Sequence, residues 1–279
     1  MPNVSEGRDT VSLDAIGSAF VRDARLLDRH SDEDHHRAVF TLAGEPGHLA
    51  RALLDGARET VVRVDLNHAR GLHPHVGALD VVPLVYFAPE LRGAACAEAL
   101  VAAELISSEL MIPVFLYGAL AGGRTRAELR RGGRSELAAR IASGALAPDF
   151  GPHRLHPTAG ATLVAARPPL VAFNLELAPP ADVATAKQIA RSMRDAGMRA
   201  IGLELASRDH VGQVSMNVED PYTTPLAAIV ERVARLADVR CAEIVGLVPR
   251  AALAGFPSDL EIRGFDANRQ VAENALPFV

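Results

Sequence analysis

Apolar and polar positions form short blocks along the chain, and the blocks switch between the two-residue period of a strand and the longer period of a helix. Arg37–Ala43 (R-A-V-F-T-L-A) and Val81–Phe87 predict strands because they are rich in β-branched and aromatic residues. Pro46–Glu59 predicts a helix opened by proline, with its apolar residues at helical spacing. The other elements predicted in the first half are helices over Val11–Asp23, Ala94–Leu110 and Arg124–Ile141 and strands over Arg25–Asp28 and Val114–Gly118.

The periodicity is weakest over Ala147–Pro169, a stretch that holds many Pro and Gly residues. We therefore expect a linker or a ligand-binding loop there.

The pattern of alternating strands and helices restarts at Leu170. The second half predicts strands over Leu170–Leu177 and Arg240–Leu247, helices over Ala181–Ala196 and Thr224–Ala237, and a hairpin that pairs Ala200–Ala206 with Gly212–Asn217.

Each half mixes short strands with helices and includes neighbouring strands that can pair antiparallel. The simplest layered solution is an α+β fold of two sandwiches in tandem, each a sheet with helices on one face. No short-period repeat is visible, so any duplication is structural.

Composition and charge narrow the possible partners. The 279 residues carry a net charge of −5, with 49% hydrophobic and 23% charged residues, so nucleic acid is not an expected partner. Cys96 and Cys241 lie far apart in apolar surroundings and predict two buried, reduced thiols. No apolar run approaches membrane-spanning length and no signal segment opens the chain, so we expect a cytoplasmic protein with no membrane partner.

The segment Gly71–Asp80 (G-L-H-P-H-V-G-A-L-D) is the first candidate for chemistry. Histidine can take or give a proton near neutral pH. Pro74 fixes its own φ and biases His73 towards an extended backbone, while Gly77 would permit a turn or a close approach of a ligand. The segment is typical of a catalytic histidine held at the start of a strand, and equally of a loop with two solvent-facing histidines.

Histidines concentrate in two groups that precede neighbouring strands and could converge in space. The groups are His30, Asp32, Asp34, His35, His36 and Arg37, and His68, His73 and His75. Three interpretations stay open: acid–base catalysis with a carboxylate that orients an imidazole, a metal site, or a solvated polar loop. For His35 and His36 individually, the solvated loop is the expectation. No H-E-x-x-H motif or Cys pair supports the metal, and no dinucleotide fingerprint, Walker loop or nucleophile elbow is present.

Eight segments, spread over nearly the whole chain and in the same order, match the sequence pattern of one known family. They are Pro2–Asp9 (P-N-V-S-E-G-R-D), Asp34–Gly44, His73–Asp80, Val114–Gly118, Pro148–Pro152 (P-D-F-G-P), Gly160–Asn174, Gln213–Asn217 and Val245–Pro249. In these segments the chain resembles the formiminotransferase family, which comprises glutamate formimidoyltransferases and the formiminotransferase part of formiminotransferase-cyclodeaminase. Each segment alone is weak evidence for the family, but eight segments in the same order are strong evidence.

The resemblance implies two ferredoxin-like α/β subdomains, residues 1–167 and 168–279, with a folate-binding tunnel between them and a possible homodimer. It implies an enzyme that transfers a formimino group between N-formimino-L-glutamate and tetrahydrofolate, the folate being a co-substrate and no metal being required. His73, at the signature histidine, would be the acid–base catalyst. The substrate- or folate-binding positions that it implies are Asn3, Ser5, Arg37, Gly77, Asp149, Gly151 and Asn174.

Because folate ends in a glutamate carboxylate, Arg37 and Arg167 are candidate anchors, although either arginine could equally form a structural ion pair. The chain departs from the family at His75, where arginine is usual, and at His36, where asparagine is usual. It also begins at Met1 without the strand that normally precedes this motif, which indicates a mis-set start or a missing edge strand. A folate-binding homologue without formimino transfer is therefore the alternative function.

Overall fold

The computed structural model describes residues 1–68, 71–195 and 197–276, which form two compact units that divide between Pro168 and Pro169. The mixture of strands and helices in each unit confirms the predicted α+β class. Among the helices in these three ranges, none is both long and apolar enough to cross a bilayer.

The first unit is built on one six-stranded sheet. Its strands are β1 (Asn3–Val4), β2 (Arg25–Asp32), β3 (Arg37–Ala43), β4 (Leu79–Val85), β5 (Val114–Leu116) and β6 (Thr162–Arg167), and its helices are α1 (Thr10–Phe20), α2 (Leu49–Arg63), α3 (Arg92–Leu110), α4 (Arg126–Arg130) and α5 (Gly133–Ala142). The strand order is β2-β3-β1-β4-β6-β5. The first four strands pair antiparallel in ferredoxin-like order, and β6 and β5 extend that sheet in parallel beyond β4.

Local signals explain where the helices of this unit begin. The Asp9 side chain accepts hydrogen bonds from the backbone N–H groups of Val11 and Ser12, which caps α1. Thr125 and Glu128 form a reciprocal capping box at the start of α4. The predicted helix over Arg124–Ile141 is two helices, because the chain turns through the left-handed conformation at Gly132 (φ +71°).

Helices cover both faces of the first sheet, so the expectation of helices on one face was wrong for this unit. Val164 of β6 packs in one core with α1, α2 and α3, whereas its neighbour Leu163 packs in another with Leu137 and Ile141 of α5. Successive residues of a strand point to opposite faces, so a strand buried on both faces is continuously apolar.

The expectation of a linker or loop over Ala147–Pro169 holds as far as Ala161, since no helix or strand forms up to that residue, but it was wrong for Thr162–Arg167, which form β6 between β4 and β5 inside the sheet. A parallel strand buried on both faces lacks the alternation by which strands are recognised. The Pro and Gly residues that precede it form turns, among them Gly160 at φ +70°.

The second unit repeats the ferredoxin-like plan. Its elements are β7 (Val171–Leu177), α6 (Val183–Met193), β8 (Met198–Leu205), β9 (Val211–Val218), α7 (Leu226–Ala234), β10 (Val239–Val245), α8 (Ala267–Gln270) and α9 (Ala272–Ala275). The antiparallel order β10-β7-β9-β8 includes the predicted β8–β9 hairpin. The predicted helix over Ala181–Ala196 corresponds to α6, although Ala196 itself lies outside the described residues.

The two faces of the second sheet differ in polarity. Phe173 and Leu175 of β7 pack in the apolar core with the helices, while the alternate residues Asn174 and Glu176 lie on the other face. Neighbouring strands place Gln213 and Glu243 beside them, and all four of these polar side chains are buried.

Gly77 provides a test of how tightly the start of β4 is packed. A Cβ at this position would lie 1.9 Å from the carbonyl oxygen of Ala161. This oxygen belongs to the backbone, so it cannot shift without displacing the chain around it. We therefore expect Gly77→Ala to lower the free energy of unfolding by about 1–3 kcal/mol. Chemical denaturation measures the change.

The matched control is Gly93→Ala on α3, where an added Cβ would have no neighbour within 4 Å. Alanine should there raise stability by up to roughly 1 kcal/mol, since glycine disfavours helices. Equal effects of the two substitutions would contradict the packing that the structure shows.

Candidate active site

The two histidine groups converge, as the sequence predicted, because the turn before β3 packs directly on the segment before β4. The backbone N–H of Leu72 donates to the carbonyl of Asp34 at 3.0 Å. A Cβ at Gly71 would lie 2.5 Å from Cβ of His36, so only glycine allows this approach. His68 does not join the group: its side chain is 85% exposed and pairs with Asp65.

His35 and His73 lie face to face at the centre of this junction. Their ring centroids are 6.1 Å apart and their planes differ by 30°. The backbone N–H of His35 donates to Oδ1 of Asp32 at 2.7 Å, which ties the turn to the end of β2. His35 is therefore buried and not solvated as the sequence suggested.

A backbone contact defines the tautomer of His73. Its Nδ1 lies 2.9 Å from the carbonyl oxygen of Pro74. A carbonyl oxygen only accepts, so Nδ1 carries the hydrogen in this contact. The neutral ring then has its lone pair on Nε2, which is the nitrogen able to take up a proton.

Asp80, fully buried on β4, holds the site together. Its Oδ2 accepts from Nη1 of Arg37 at 2.8 Å and from Nη2 of Arg130 on α4. Its Oδ1 accepts from the backbone N–H groups of Val76, at 2.8 Å, and Gly77, at 3.3 Å. One carboxylate thus joins two arginines to the segment that carries His73.

The pKa values follow from this charge distribution. Burial alone would raise the pKa of Asp80, but Arg130, Arg37 and the Val76 amide outweigh it and hold that pKa well below its usual range. Burial lowers the pKa of Arg37 to about 10, which leaves the guanidinium charged at neutral pH.

The pKa of His73 lies well below its usual range, first because the ring is desolvated and second because Arg37 and Arg130 are close. The imidazole is therefore neutral at pH 7 and able to act as a base.

Asn3 and Ser5, two of the predicted binding residues, connect β1 to this group. Oδ1 of Asn3 accepts from Nε of Arg37 at 3.0 Å, and its amide donates to the carbonyl of Met1. Oγ of Ser5 donates to the carbonyl of Gly77 at 2.7 Å. Both side chains hold Arg37 or the His73 segment in place.

Asp149 and Gly151 have their contacts elsewhere, at the outer edge of β5. Asp149 accepts from the backbone N–H of Leu116 at 2.7 Å and from the guanidinium of Arg124. Gly151 has φ +84°, and a Cβ there would lie 2.0 Å from Oγ of Ser107. These contacts stabilise the loop that follows α5.

Asn174 and Arg167 complete the positions taken from the sequence. Asn174 lies in the second unit, where its amide donates to Oε2 of Glu243 at 2.8 Å. In the same unit Glu176 accepts from Arg208 and Arg263, and their hydrogen bonds outweigh burial and lower its pKa. Arg167, at the end of β6, donates to the carbonyl of Pro168.

The two histidines that depart from the family pattern flank His73. Nδ1 of His75 donates to the carbonyl of His73 at 3.1 Å. His36 has a left-handed backbone (φ +49°), and its Nδ1 lies 3.4 Å from a carboxylate oxygen of Glu6. Desolvation lowers the pKa of His36. Within the described ranges, no group of three or more His, Cys, Asp and Glu side chains is arranged to hold a metal ion.

Two residues of this site received no role from the sequence, namely Asp80, which was named only as the end of the histidine segment, and Arg130. Arg130 lies in the arginine-rich stretch after β5, four residues after Arg126, and arginines on a short helix are ordinarily surface residues. The T-R-A-E capping box identifies the helix from sequence, but only the tertiary structure shows that Arg130 reaches Asp80.

The lowered pKa of His73 predicts a pH dependence of stability. The unfolded state binds a proton as the pH falls through about 6.5, the ordinary histidine value, whereas the folded state does not. Stability should therefore fall as the pH drops below about 6.5. We expect His73→Gln to flatten this decline when the free energy of unfolding is measured from pH 8 to pH 5.

His68→Gln, at an exposed loop position, is the control: it also removes a histidine, but the pH dependence of the free energy of unfolding should stay as in the wild type. An unchanged slope in His73→Gln would show that His73 takes up its proton equally well in the folded protein.

Comparison with known proteins identifies the family. Residues 1–167 match the model of the formiminotransferase domain, N-terminal subdomain. The chain is 34% identical to a glutamate formimidoyltransferase of Streptococcus pyogenes, with 99% of this chain and 97% of that protein aligned. It is 31% identical to the glutamate formimidoyltransferase of Thermoplasma acidophilum, over 95% of this chain and 93% of the relative.

A bifunctional relative aligns over part of its length. The formimidoyltransferase-cyclodeaminase of Sus scrofa is 33% identical over 91% of this chain, and the chain spans 50% of that protein. The matched family model and the near full-length alignments agree with the eight segments read from the sequence. The chain belongs to the formiminotransferase family.

Proposed function

We propose that this protein is a glutamate formimidoyltransferase, which moves a formimino group between N-formimino-L-glutamate and tetrahydrofolate with His73 as the acid–base group. Relatives that align along almost the whole chain carry the name of this activity. The observation that carries the role of His73 is its tautomer: Nδ1–H is engaged by Pro74, so Nε2 is left to exchange protons.

The chemistry requires one group that both accepts and returns a proton. An amine nitrogen of tetrahydrofolate attacks the amidine carbon of formiminoglutamate and forms a tetrahedral intermediate. The attacking nitrogen loses a proton, and the bond from that carbon to the glutamate nitrogen breaks as the glutamate nitrogen gains one. Nε2 of neutral His73 can take the first proton and deliver the second, so the atoms balance without another reagent.

The positive surroundings of His73 suit an anionic substrate. Desolvation of the ring lowers the pKa of His73, and Arg37 and Arg130 lower it further, so the imidazole is neutral before substrate binds. A carboxylate that enters beside them offsets their charge and raises the pKa of His73, so the base strengthens when substrate arrives.

Asn3 and Ser5 are proposed to act through Arg37 and through the backbone of Gly77, as their hydrogen bonds indicate. Asp149 and Gly151 are proposed to shape the binding site through the loop they stabilise. Asn174 would contribute from the polar face of the second sheet. We assign residues 1–167 and 168–279 to the two formiminotransferase subdomains, and the homodimer and the cytoplasmic location stay predictions.

Turnover of N-formimino-L-glutamate with tetrahydrofolate tests the function directly. We expect the wild-type protein to transfer the group and His73→Gln to lose about 100-fold or more in kcat, the usual contribution of a positioned acid–base group. His68→Gln, at an exposed side chain that does not join the site, is the control for histidine replacement.

Thermal stabilisation separates binding from transfer. A reduced folate that binds the native state must raise the melting temperature, and His73→Gln should keep most of this shift. A wild-type protein that is stabilised by 5-formyltetrahydrofolate but transfers no formimino group would favour the folate-binding homologue over the transferase.

A further inference from the structure

Three arginines form a cationic wall beside His73. The wall consists of Arg37 on β3 and of Arg126 and Arg130 on α4. The two arginines of α4 lie four residues apart, so they are on the same side of that helix. Arg130 reaches Asp80, while the guanidinium carbon of Arg126 lies 5.7 Å from the ring centroid of Tyr117. Arg126 is close enough to Arg37 that its charge contributes to lowering the Arg37 pKa.

The positive charge of the wall exceeds the negative charge that contacts it. Asp80 is shared between Arg37 and Arg130, so this triad carries one net positive charge at a buried position. Among the described residues, no carboxylate forms an ion pair with Arg126. A buried cation without a counter-charge is costly, and an anionic ligand would remove that cost.

Polar atoms at the wall lack partners as well. The side chain of Tyr117 is 6% exposed, and its hydroxyl has no hydrogen-bond partner among the described residues. The same holds for Nε of Arg130. Nε also lacks a partner in Arg134 and Arg140, so the buried hydroxyl of Tyr117 is the donor at the wall that indicates a hydrogen bond to a ligand, because buried hydroxyls are normally satisfied.

We propose that Arg130, with Arg37 and the hydroxyl of Tyr117, binds the α-carboxylate of the formiminoglutamate donor and so determines which substrate end lies at His73. This inference rests on the proposed function and adds a specificity residue to it. Arginine suits a carboxylate because its planar fork can donate two parallel hydrogen bonds.

The choice of carboxylate follows from the distance to the reacting atoms. The formimino group sits on the α-nitrogen, so the α-carboxylate is separated from that nitrogen by a single carbon atom. The γ-carboxylate is three carbon atoms away, and the glutamate of folate is separated from its amine nitrogens by the aminobenzoyl group. With the amidine at His73, the α-carboxylate is the one that stays next to Arg37 and Arg130.

Steady-state kinetics with each substrate varied separately tests the assignment. For Arg130→Met we expect KM for N-formimino-L-glutamate to rise roughly tenfold to a hundredfold, the loss of one charge-assisted hydrogen bond, while KM for tetrahydrofolate stays within about twofold. For Arg130→Lys we expect an intermediate KM for N-formimino-L-glutamate, because lysine keeps the positive charge but cannot donate two parallel hydrogen bonds. Arg131→Met, at the exposed neighbouring arginine, is the matched control and should behave as wild type.

Tyr117→Phe keeps the test valid if Arg130→Met fails to fold. It removes a hydroxyl that bonds to no described group, so stability should be unchanged while KM for the donor rises about fivefold, the loss of one hydrogen bond. An unchanged donor KM in folded Tyr117→Phe and Arg130 variants overturns the proposal. A rise confined to KM for tetrahydrofolate also overturns the proposal, because it would show that the three arginines bind the folate.

Calorimetric titration of amino acids gives a readout that does not depend on turnover. The wild-type protein should bind L-glutamate and L-glutamine, which keep the α-carboxylate, better than L-isoglutamine, in which that group is an amide. Arg130→Lys should reduce this preference. If the wild-type protein prefers ligands with an α-carboxylate but transfers no formimino group, the proposed function is wrong and the carboxylate site is supported. If it transfers the formimino group but shows no such preference, only the carboxylate site is wrong.

Discussion

The site depends on one buried carboxylate. Asp80 accepts four hydrogen bonds, two from guanidinium groups that come from β3 and α4 and two from the backbone that follows His73. A buried carboxylate is tolerated only when it is paired and fully hydrogen-bonded, so the position of each donor is constrained by the others. The strand that carries Asp80 is buried on both faces, which gives these contacts a rigid base. The conformation of the His73 segment is therefore set by electrostatics as much as by packing.

The same contacts explain the chemical state of His73. Two guanidiniums that are needed to stabilise Asp80 also lie near the imidazole, where they favour its neutral form. The hydrogen bond from Nδ1 to the carbonyl of Pro74 then leaves the lone pair on Nε2. The site thus combines a neutral base with a positively charged wall, an arrangement suited to anionic substrates and proton exchange between two nitrogens.

Much of the fold could be predicted from the sequence, and the failures have physical reasons. The β3 strand and the β8–β9 hairpin were predicted because their residue types and turns act locally. β6 was missed because a parallel strand covered on both faces shows no alternation. The helix cover on both faces was missed for a different reason, because which face of a sheet a helix packs on depends on contacts that are distant in sequence. From their positions before neighbouring strands the two histidine groups were expected to be able to converge, and the ring of His35 beside that of His73 confirms that they do.

By itself the sequence determined the α+β class and the family, and it indicated His73 as the proposed catalytic histidine, because each of these depends on local pattern or on ordered motifs. The tertiary structure decided which groups surround that histidine. Arg130 lies 50 residues from Asp80 along the chain, and no spacing rule connects a surface-type arginine on a five-residue helix to a carboxylate on a central strand. The protonation state of His73 was also beyond the sequence, since a pKa depends on burial and on charges that only folding brings together.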